Sequence, residues 1–514
     1  MADFNTAAWL VDRHVDEGWG GRVAIRCEGR STSYTDLATE IARAQAMLSS
    51  LGLGFGDRVA MVVQDDEAFP AFFLGAQRGG MVAVPLSTML HGQELAAIVA
   101  DCGATVLIVS DTFVSALDAI ADGAPELRDI VVAGPAPIAS LPASIDVHRW
   151  TEYSSSELPA VARTSRDSAA FWLYSSGTTG TPKGVMHVHG NVPATIDTYA
   201  TTILGIGPDD RFLSVPKLFF AYGLGNSLTF PLAVGATAIL NPAPSTPPGI
   251  IDLIEDELPT LFFSSPGFCA ALLDSDPDAS IFRSVRATVT AGESLPANIQ
   301  TRFAELTSGP VLDGIGSTEL LHIFISNTLE HQSPGSSGRV VPGYEAQLRD
   351  DADTLITEPD TPGYLHVRGD SAASGYWQKP DATAEAFRDG WVRTGDVYTR
   401  SADGVWTFLG RNSDMIKAGG IWVSPAEVES ALIEHPTVLE AAVVGDRDEK
   451  GLETVVAFVV PSSGAVPDPA ELETHCRARM ASFKRPRRII VVDEFSKTAT
   501  GKIKRFELRQ SFRR

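Results

Sequence analysis

Between two apolar, extended stretches the chain carries Ser175-Ser176-Gly177-Thr178-Thr179-Gly180-Thr181-Pro182-Lys183-Gly184, a loop of hydroxyl side chains, glycines and a single lysine. Glycines let the backbone turn so that several N–H groups point into one concavity, the geometry that holds phosphate oxygens. The hydroxyls add donors, and Lys183 adds a charge that follows a phosphate as it leaves. The loop reads as a polyphosphate grip. It is not a Walker A loop, because Lys183 is followed by Gly184 instead of Ser or Thr. Residues 169–174 before it are apolar, and residues 185–189 after it alternate as a strand does. The loop therefore joins two strands, with no helix N-terminus to assist. A Gly/Ser/Thr cluster alone also fits a solvated turn; the embedded Pro-Lys-Gly favours the phosphate reading.

At 514 residues the chain exceeds what one core serves, so at least two domains are expected. Hydrophobic content of 44% with 20% charged residues fits a globular protein. No apolar run reaches the length of a membrane span. The first residues are acidic and lack a basic, apolar leader, so a cytoplasmic location is expected. Cys27, Cys102, Cys269 and Cys476 show no Cys-x-x-Cys spacing and read as reduced thiols, not zinc ligands. A net charge of −23 argues against nucleic-acid binding. From Arg477 to Arg514, however, 13 Lys/Arg stand against 3 Asp/Glu. This basic tail reads as a module that approaches phosphates held by a larger acidic body.

Strand and helix patterns alternate through the first four hundred residues. Residues 23–26 and the turn at Gly29 predict a hairpin, and Leu37, Ile41, Ala44, Leu48 and Leu51 share one helical face. Strand 59–63, helix 68–78 and strand 81–85 form one β-α-β unit. Strand 212–215, a helix around 226–232 and strand 236–240 form another, predicting two similar α/β halves with largely parallel sheets. After Arg411 the texture changes. Ser424-Pro425-Ala426-Glu427 is a capping box with proline at the first helical position, opening a helix through Ile433. Strands 438–444 and 454–460, a helix near 470–480 and strand 489–492 complete a small α+β domain. The boundary is expected at 410–413.

The phosphate loop resembles the motif of the adenylate-forming superfamily, which includes acyl- and aryl-CoA ligases, luciferases and peptide-synthetase adenylation domains. The resemblance covers nearly the whole chain. It is nearest to the benzoate- and hydroxybenzoate-CoA ligases through Lys217-Leu-Phe-Phe-Ala-Tyr-Gly-Leu-Gly-Asn226 and Asp313-Gly-Ile-Gly-Ser-Thr-Glu-Leu-Leu-His-Ile-Phe324. It implies an α/β N-terminal domain, residues 1–410, of two similar α/β subdomains plus a β-rich subdomain. A hinge at 411–413 and a small mobile α+β C-terminal domain, 414–514, would follow. The implied reaction has two steps: a carboxylate attacks the α-phosphate of ATP to give acyl-AMP and pyrophosphate, then a thiol displaces AMP. Both steps need negative charge held by donors, cations and a metal.

The same resemblance implies residue roles. Ser175, Ser176, Gly177, Thr178, Thr179, Gly180 and Lys183 would hold phosphates. Within Ser317-Thr318-Glu319, Glu319 would hold Mg²⁺ and Thr318 would bond the α-phosphate; a lone glutamate suffices, since Mg²⁺ keeps water and phosphate ligands. Gly292, Glu293 and Ser294 would lie on the adenine side, Asp313 and Gly314 beside the purine, and Ile315 where many members carry a stacking aromatic. Asp396, in Arg393-Thr-Gly-Asp, would accept from the ribose hydroxyls, with Arg411 near the ribose or the phosphates. Lys502, in Ser496-Lys-Thr-Ala-Thr-Gly-Lys502, would be the catalytic lysine of the C-terminal domain, with Ser496 in place of the usual proline. After adenylation that domain would pivot about Ser413, where relatives more often carry Asp or Lys. Lys417, Gly419, Gly420 and Trp422 would then line the path of coenzyme A.

The acid pocket implied by the resemblance comprises Phe220, Ala221, Tyr222, Gly223, Gly292, Gly314, Ile315, His322 and Ile323, a flat and mostly apolar slot. It suits one aromatic ring. Benzoate is the expected substrate, with salicylate, 4-hydroxybenzoate and 2-aminobenzoate open because Tyr222 or His322 offers a partner for a ring substituent. The expected activity is an ATP- and Mg²⁺-dependent aryl-CoA ligase, monomeric or homodimeric. The alternatives are an aryl-acid adenylating enzyme that loads a carrier protein and a non-catalytic aryl-adenylate-binding protein.

Overall fold

The computed structural model describes residues 3–135, 141–155, 157–176, 182–418, 421–447, 453–497 and 503–511. It divides into two units: residues 1–263, 316–323 and 369–390, and residues 264–315, 324–368 and 391–514. Neither unit is continuous in sequence. The Thr-Glu segment therefore belongs with the phosphate hairpin, and Asp313 belongs elsewhere.

In the first unit a seven-stranded sheet runs Asp146–Arg149, Asp129–Ala133, Val106–Ser110, Arg58–Val62, Val82–Pro85, Ala169–Ser176, Pro182–Val188. All neighbours are parallel except the last pair, which forms the hairpin around the phosphate loop. Strands such as Val-Leu-Ile-Val-Ser are apolar along their whole length because helices cover both sides of a parallel sheet. Val62, Val84, Leu107, Val109, Ile130 and Val132 pack there against Leu95, Ile98 and Val99. Each such burial contributes about 1.5–3 kcal/mol. Helix Tyr34–Ser50 begins with a reciprocal Ser33–Asp36 capping box and buries Leu37, Ile41, Ala44 and Leu48.

The same unit pairs Arg211–Ser214 in parallel with Leu261–Ser264 and Thr237–Leu240. Thr237–Leu240 pairs in turn with Val23–Cys27, which forms a hairpin with Arg30–Ser33 as predicted. Between Arg211–Ser214 and Thr237–Leu240 the expected helix starts earlier and is not uniform. It runs as α-helix Ala221–Leu224, π-helix Gly225–Thr229 and α-helix Phe230–Ala233.

In the second unit Ala287–Thr290 lies parallel to Val311–Gly316. Five antiparallel strands follow in the order Leu355–Ile356, Glu345–Arg349, Gly363–Arg368, Trp391–Arg400, Trp406–Arg411. Then come hairpin Ile416–Ala418/Ile421–Val423 and helix Pro425–Ile433. Strands Val438–Arg447, Glu453–Pro461 and Arg488–Val491 make one sheet, with helices Pro469–Arg479 and Arg505–Ser511. This is the expected small α+β fold. Ser424 caps its first helix by accepting from Glu427 N–H, but the reciprocal arm of the predicted box is absent. The Glu427 carboxylate instead accepts from Lys484 Nζ at 2.6 and 2.7 Å.

All four cysteines are buried and unpaired. Among the described residues no helix is long and apolar enough to cross a membrane.

Candidate active site

The phosphate hairpin is built by cross-strand register. Tyr174 faces Gly184, Ser175 faces Lys183, and Ser176 faces Pro182 at the mouth of the loop. Gly177, Thr178, Thr179 and Gly180 lie outside the described residues, as does the side chain of Ser176. The outer strand is extended by a segment distant in sequence. Met186 N–H donates to Gly375 O, Ser374 N–H to Met186 O and Trp377 N–H to Gly184 O, each at 2.8–2.9 Å. That segment also reaches the Thr-Glu loop: Ala373 N–H donates to Glu319 O at 2.8 Å, and Ser371 Oγ to Leu320 O at 2.7 Å.

Lys183 and Glu319 thereby share neighbours within the first unit. Lys183 Nζ stands 5.0 Å from the centre of the Tyr376 ring, and the Tyr376 hydroxyl donates to Glu319 Oε1 at 2.9 Å. His187 Nε2 meets Thr318 O at 2.8 Å, fastening the Thr-Glu turn to the hairpin. Burial holds this imidazole at about 4, so it is neutral and donates that bond. Ser317 Oγ is buried without a hydrogen-bond partner among the described residues. His187 and Tyr376 escaped sequence reasoning. His187 sits in a strand whose alternation explains it equally well, and Tyr376 lies 193 positions from Lys183.

No group of three potential metal ligands occurs among the described residues. A single carboxylate suits Mg²⁺ when phosphates and water supply the remaining oxygens. Glu319 keeps one oxygen for such an ion, and the orphaned Ser317 hydroxyl lies two residues before it. The donor set fits a nucleotide-borne divalent ion.

Two residues beyond Glu319 the chain makes a γ-turn. Leu321 has φ +65° and ψ −38°, and His322 N–H donates across it to Leu320 O at 2.8 Å. A branched residue at positive φ is strained, at roughly 1–3 kcal/mol. The turn drives His322 into an aromatic cluster with Tyr199, Tyr222 and Phe230, at ring separations of 5.2, 5.4 and 4.4 Å. A β-carbon at Gly225 would stand 2.4 Å from His322 Cδ2, so this position admits only glycine. Burial lowers the imidazole to about 3 and keeps it neutral. Its Nε2 meets Asn226 Oδ1 at 3.1 Å, while Nδ1 has no partner among the described residues.

Phe220 precedes the first turn of helix Ala221–Leu224, its ring 4.4 Å from that of Phe219. Gly223 is buried with backbone, not open space, where a side chain would go: a β-carbon would meet Lys217 O at 2.1 Å. Ile323 is buried at the start of its strand. Of the residues expected around the acid, Phe220, Ala221, Tyr222, Gly223, His322 and Ile323 thus share the first unit with Lys183 and Glu319, whereas Gly292, Gly314 and Ile315 fall in the second.

The second unit carries the residues expected to meet the nucleoside. Gly292 adopts φ +99°, a conformation open to glycine, with nothing within 4 Å of the side chain it lacks. Asp313 is buried, and its Oδ1 accepts from Thr290 Oγ1 at 3.0 Å. Burial pushes its carboxyl up to about 8, against hydrogen bonds from Thr290 and the Gly314 and Leu295 backbone. Gly314 is buried, and Ile315 and Ser294 are half-buried. Glu293 is exposed; with Glu429 and Asp414 it belongs to the acidic surroundings of Arg505.

Asp396 and Arg411 are register partners on adjacent strands, with Arg411 Nε 3.0 Å from Asp396 Oδ1. Ser413 is exposed, and Arg509 reaches its carbonyl and, at 2.5 Å, Asp414 Oδ1. Lys417 and Trp422 face each other in their hairpin, but their side chains, Gly419, Gly420 and Lys502 lie outside the described residues.

The chain resembles known proteins over nearly its whole length. The AMP-binding enzyme family matches residues 12–377, and the AMP-binding enzyme C-terminal domain matches residues 427–502. A benzoate–CoA ligase of Thauera aromatica is 41% identical over 99% of this chain and 96% of its own length. A 4-hydroxybenzoate–CoA/benzoate–CoA ligase of Rhodopseudomonas palustris is 39% identical over 99% of this chain and 94% of its own. The crystal structure of the anthranilate CoA ligase AuaEII with anthranoyl-AMP superposes with a TM-score of 0.92 at 36% identity, covering 99% of this chain and 97% of that one. The chain belongs to the adenylate-forming AMP-binding enzymes, in the group of the benzoate- and hydroxybenzoate-CoA ligases.

Proposed function

We propose that this chain couples benzoate or a small substituted benzoate to coenzyme A, consuming ATP and releasing AMP and pyrophosphate. The observation that carries the reading is the placement, in one unit, of a phosphate hairpin, the Glu319 carboxylate and an aromatic cluster three residues farther on. Polyphosphate and aryl-acid recognition are joined by the single turn between Glu319 and His322.

In the first half-reaction a carboxylate oxygen bonds to the α-phosphorus and pyrophosphate leaves. Ser175 and Lys183 receive its charge at the loop mouth, Asp313 accepts from the adenine amino group, and Asp396 accepts from the ribose. Glu319 would hold Mg²⁺, which screens the phosphate oxygens when bound. Lys502 brings an ammonium to the same charge. In the second half-reaction the CoA sulfur attacks the aryl carbonyl, loses its proton, and AMP departs. Residues 1–410 form the body, 411–413 the hinge around Ser413, and 414–514 the moving domain whose Gly419-Gly420 hairpin meets the thiol. A cytoplasmic monomer or homodimer belongs to the same reading.

Ring substituents are read by Tyr222 and His322. A neutral imidazole offers one donor and one acceptor. With Nε2 on Asn226, Nδ1 is left for a hydroxyl or amino group on the substrate. A site built to bond such a group discriminates by roughly 10⁴–10⁵, whereas apolar shape alone gives about 10–200-fold. The test is kcat/KM for benzoate, salicylate, 4-hydroxybenzoate and 2-aminobenzoate in wild type, Tyr222→Ala and His322→Ala. The reading expects the ranking to change in both variants; an unaltered ranking removes these residues from the pocket.

A further inference from the structure

Tyr376 touches the anion and the cation of the phosphate site together. Its hydroxyl donates to Glu319 Oε1 at 2.9 Å, and its ring lies 5.0 Å from Lys183 Nζ. The residue is buried at 8% exposure and fixed on every side. Its backbone bridges to Val185, its N–H donates to Thr383 Oγ1 at 3.0 Å, and its ring meets the edge of Phe387 at 5.4 Å. Among the described residues Lys183 and Glu319 make no ion pair with each other.

That arrangement solves a problem posed by opposite charges in one site. A lysine and a glutamate left to themselves pair, and each then loses the charge that phosphate and metal require. A phenol separates them without adding charge of its own. Its ring face attracts the ammonium and its hydroxyl serves the carboxylate. Using one carboxylate oxygen also leaves the other to meet an ion singly, the mode that suits the small, octahedral Mg²⁺.

We propose that Tyr376 is a positioning residue for adenylation: it aims Glu319 at the divalent ion carried by the nucleotide and seats Lys183 beside the departing phosphates. The proposal rests on Glu319 being the metal carboxylate.

The experiment is a Mn²⁺ titration in the presence of a non-hydrolysable ATP analogue, followed by the paramagnetic resonance of free Mn²⁺. It compares wild type, Tyr376→Phe and Glu319→Gln, with Tm as a check of folding. Tyr376→Phe keeps the ring, the Phe387 contact and the lysine seat while removing one hydrogen bond to a charged group, so Mn²⁺ binding weakens about tenfold. In turnover the half-saturating Mg²⁺ concentration rises by a similar factor, and kcat recovers at saturating Mg²⁺. Tyr376→Leu, which also removes the ring, raises the KM for ATP beyond that of Tyr376→Phe. If Glu319→Gln weakens Mn²⁺ binding while Tyr376→Phe leaves it at the wild-type value, the positioning role is overturned and the metal assignment stands. If neither substitution changes it, Glu319 is not the metal carboxylate and both readings fall.

Discussion

Asp396 and Arg411 face each other across adjacent antiparallel strands, with Arg411 Nε 3.0 Å from Asp396 Oδ1. Arg411 also donates to Thr394 O at 2.9 Å, so its guanidinium is held by the strand that carries the aspartate. The carboxylate is almost fully buried, whereas the guanidinium is half-exposed. Such a pair fixes the direction of the carboxylate proposed above to meet the ribose hydroxyls. Replacing Asp396 by Ala removes that charged acceptor. Binding of ATP, measured by calorimetry, should weaken about 10–100-fold, corresponding to roughly 1.5–3 kcal/mol.

The proposed role of Asp313 makes nucleoside binding depend on pH. Its carboxyl, held up to about 8 by burial, is protonated in the empty site at neutral pH. In the proposed role an adenine amino group donates to the ionised form, so binding would expel a proton. Affinity should therefore rise as pH increases from about 6 to 8 and level off above that. Adenosine is the suitable ligand because it has no titrating phosphate. Asp313→Asn should flatten the dependence.

His189 makes folding stability depend on pH. Burial lowers it to about 4, so the folded protein holds it neutral, whereas in the unfolded chain it takes a proton below about 6.5. Its contribution is complete above pH 6.5 and is lost as pH falls from there toward 4. The limiting slope is about 1.4 kcal/mol per pH unit. Denaturant unfolding of wild type and His189→Gln should show their difference in stability shifting against wild type between pH 6.5 and 4.5.

Lys502 should matter to one half-reaction only. Lys502→Ala should slow pyrophosphate release from ATP and benzoate by orders of magnitude while preserving thioester formation from supplied benzoyl-AMP. Equal loss in both half-reactions would contradict the assignment of its ammonium to adenylation.

Much of this fold is legible in the sequence because local and global preferences agree. Apolar parallel strands, the Ser424 helix cap and the hairpin at Gly29 each follow from nearby residues. The exceptions arise where distant contacts decide. Helical periodicity does not reveal the π-helix at Gly225–Thr229, which places Gly225 against His322. Nothing near Leu321 announces a positive φ, because the constraint is the packing of His322 among Tyr199, Tyr222 and Phe230. Glu427 leaves its expected capping role for Lys484, 57 residues away. The site shows the same division. Motifs single out Lys183, Glu319, Asp313 and Asp396, whereas the contacts of Tyr376 with Glu319 and of His187 with the Thr318 carbonyl are visible only in three dimensions.

The product balance of the wild-type protein tests the central claim most directly. With benzoate, ATP, Mg²⁺ and free coenzyme A, quantified by chromatography and thiol titration, one AMP, one pyrophosphate and one benzoyl-CoA should appear for each thiol consumed. Pyrophosphate released while free thiol stays constant would contradict CoA ligation and identify an enzyme that hands its adenylate to a carrier.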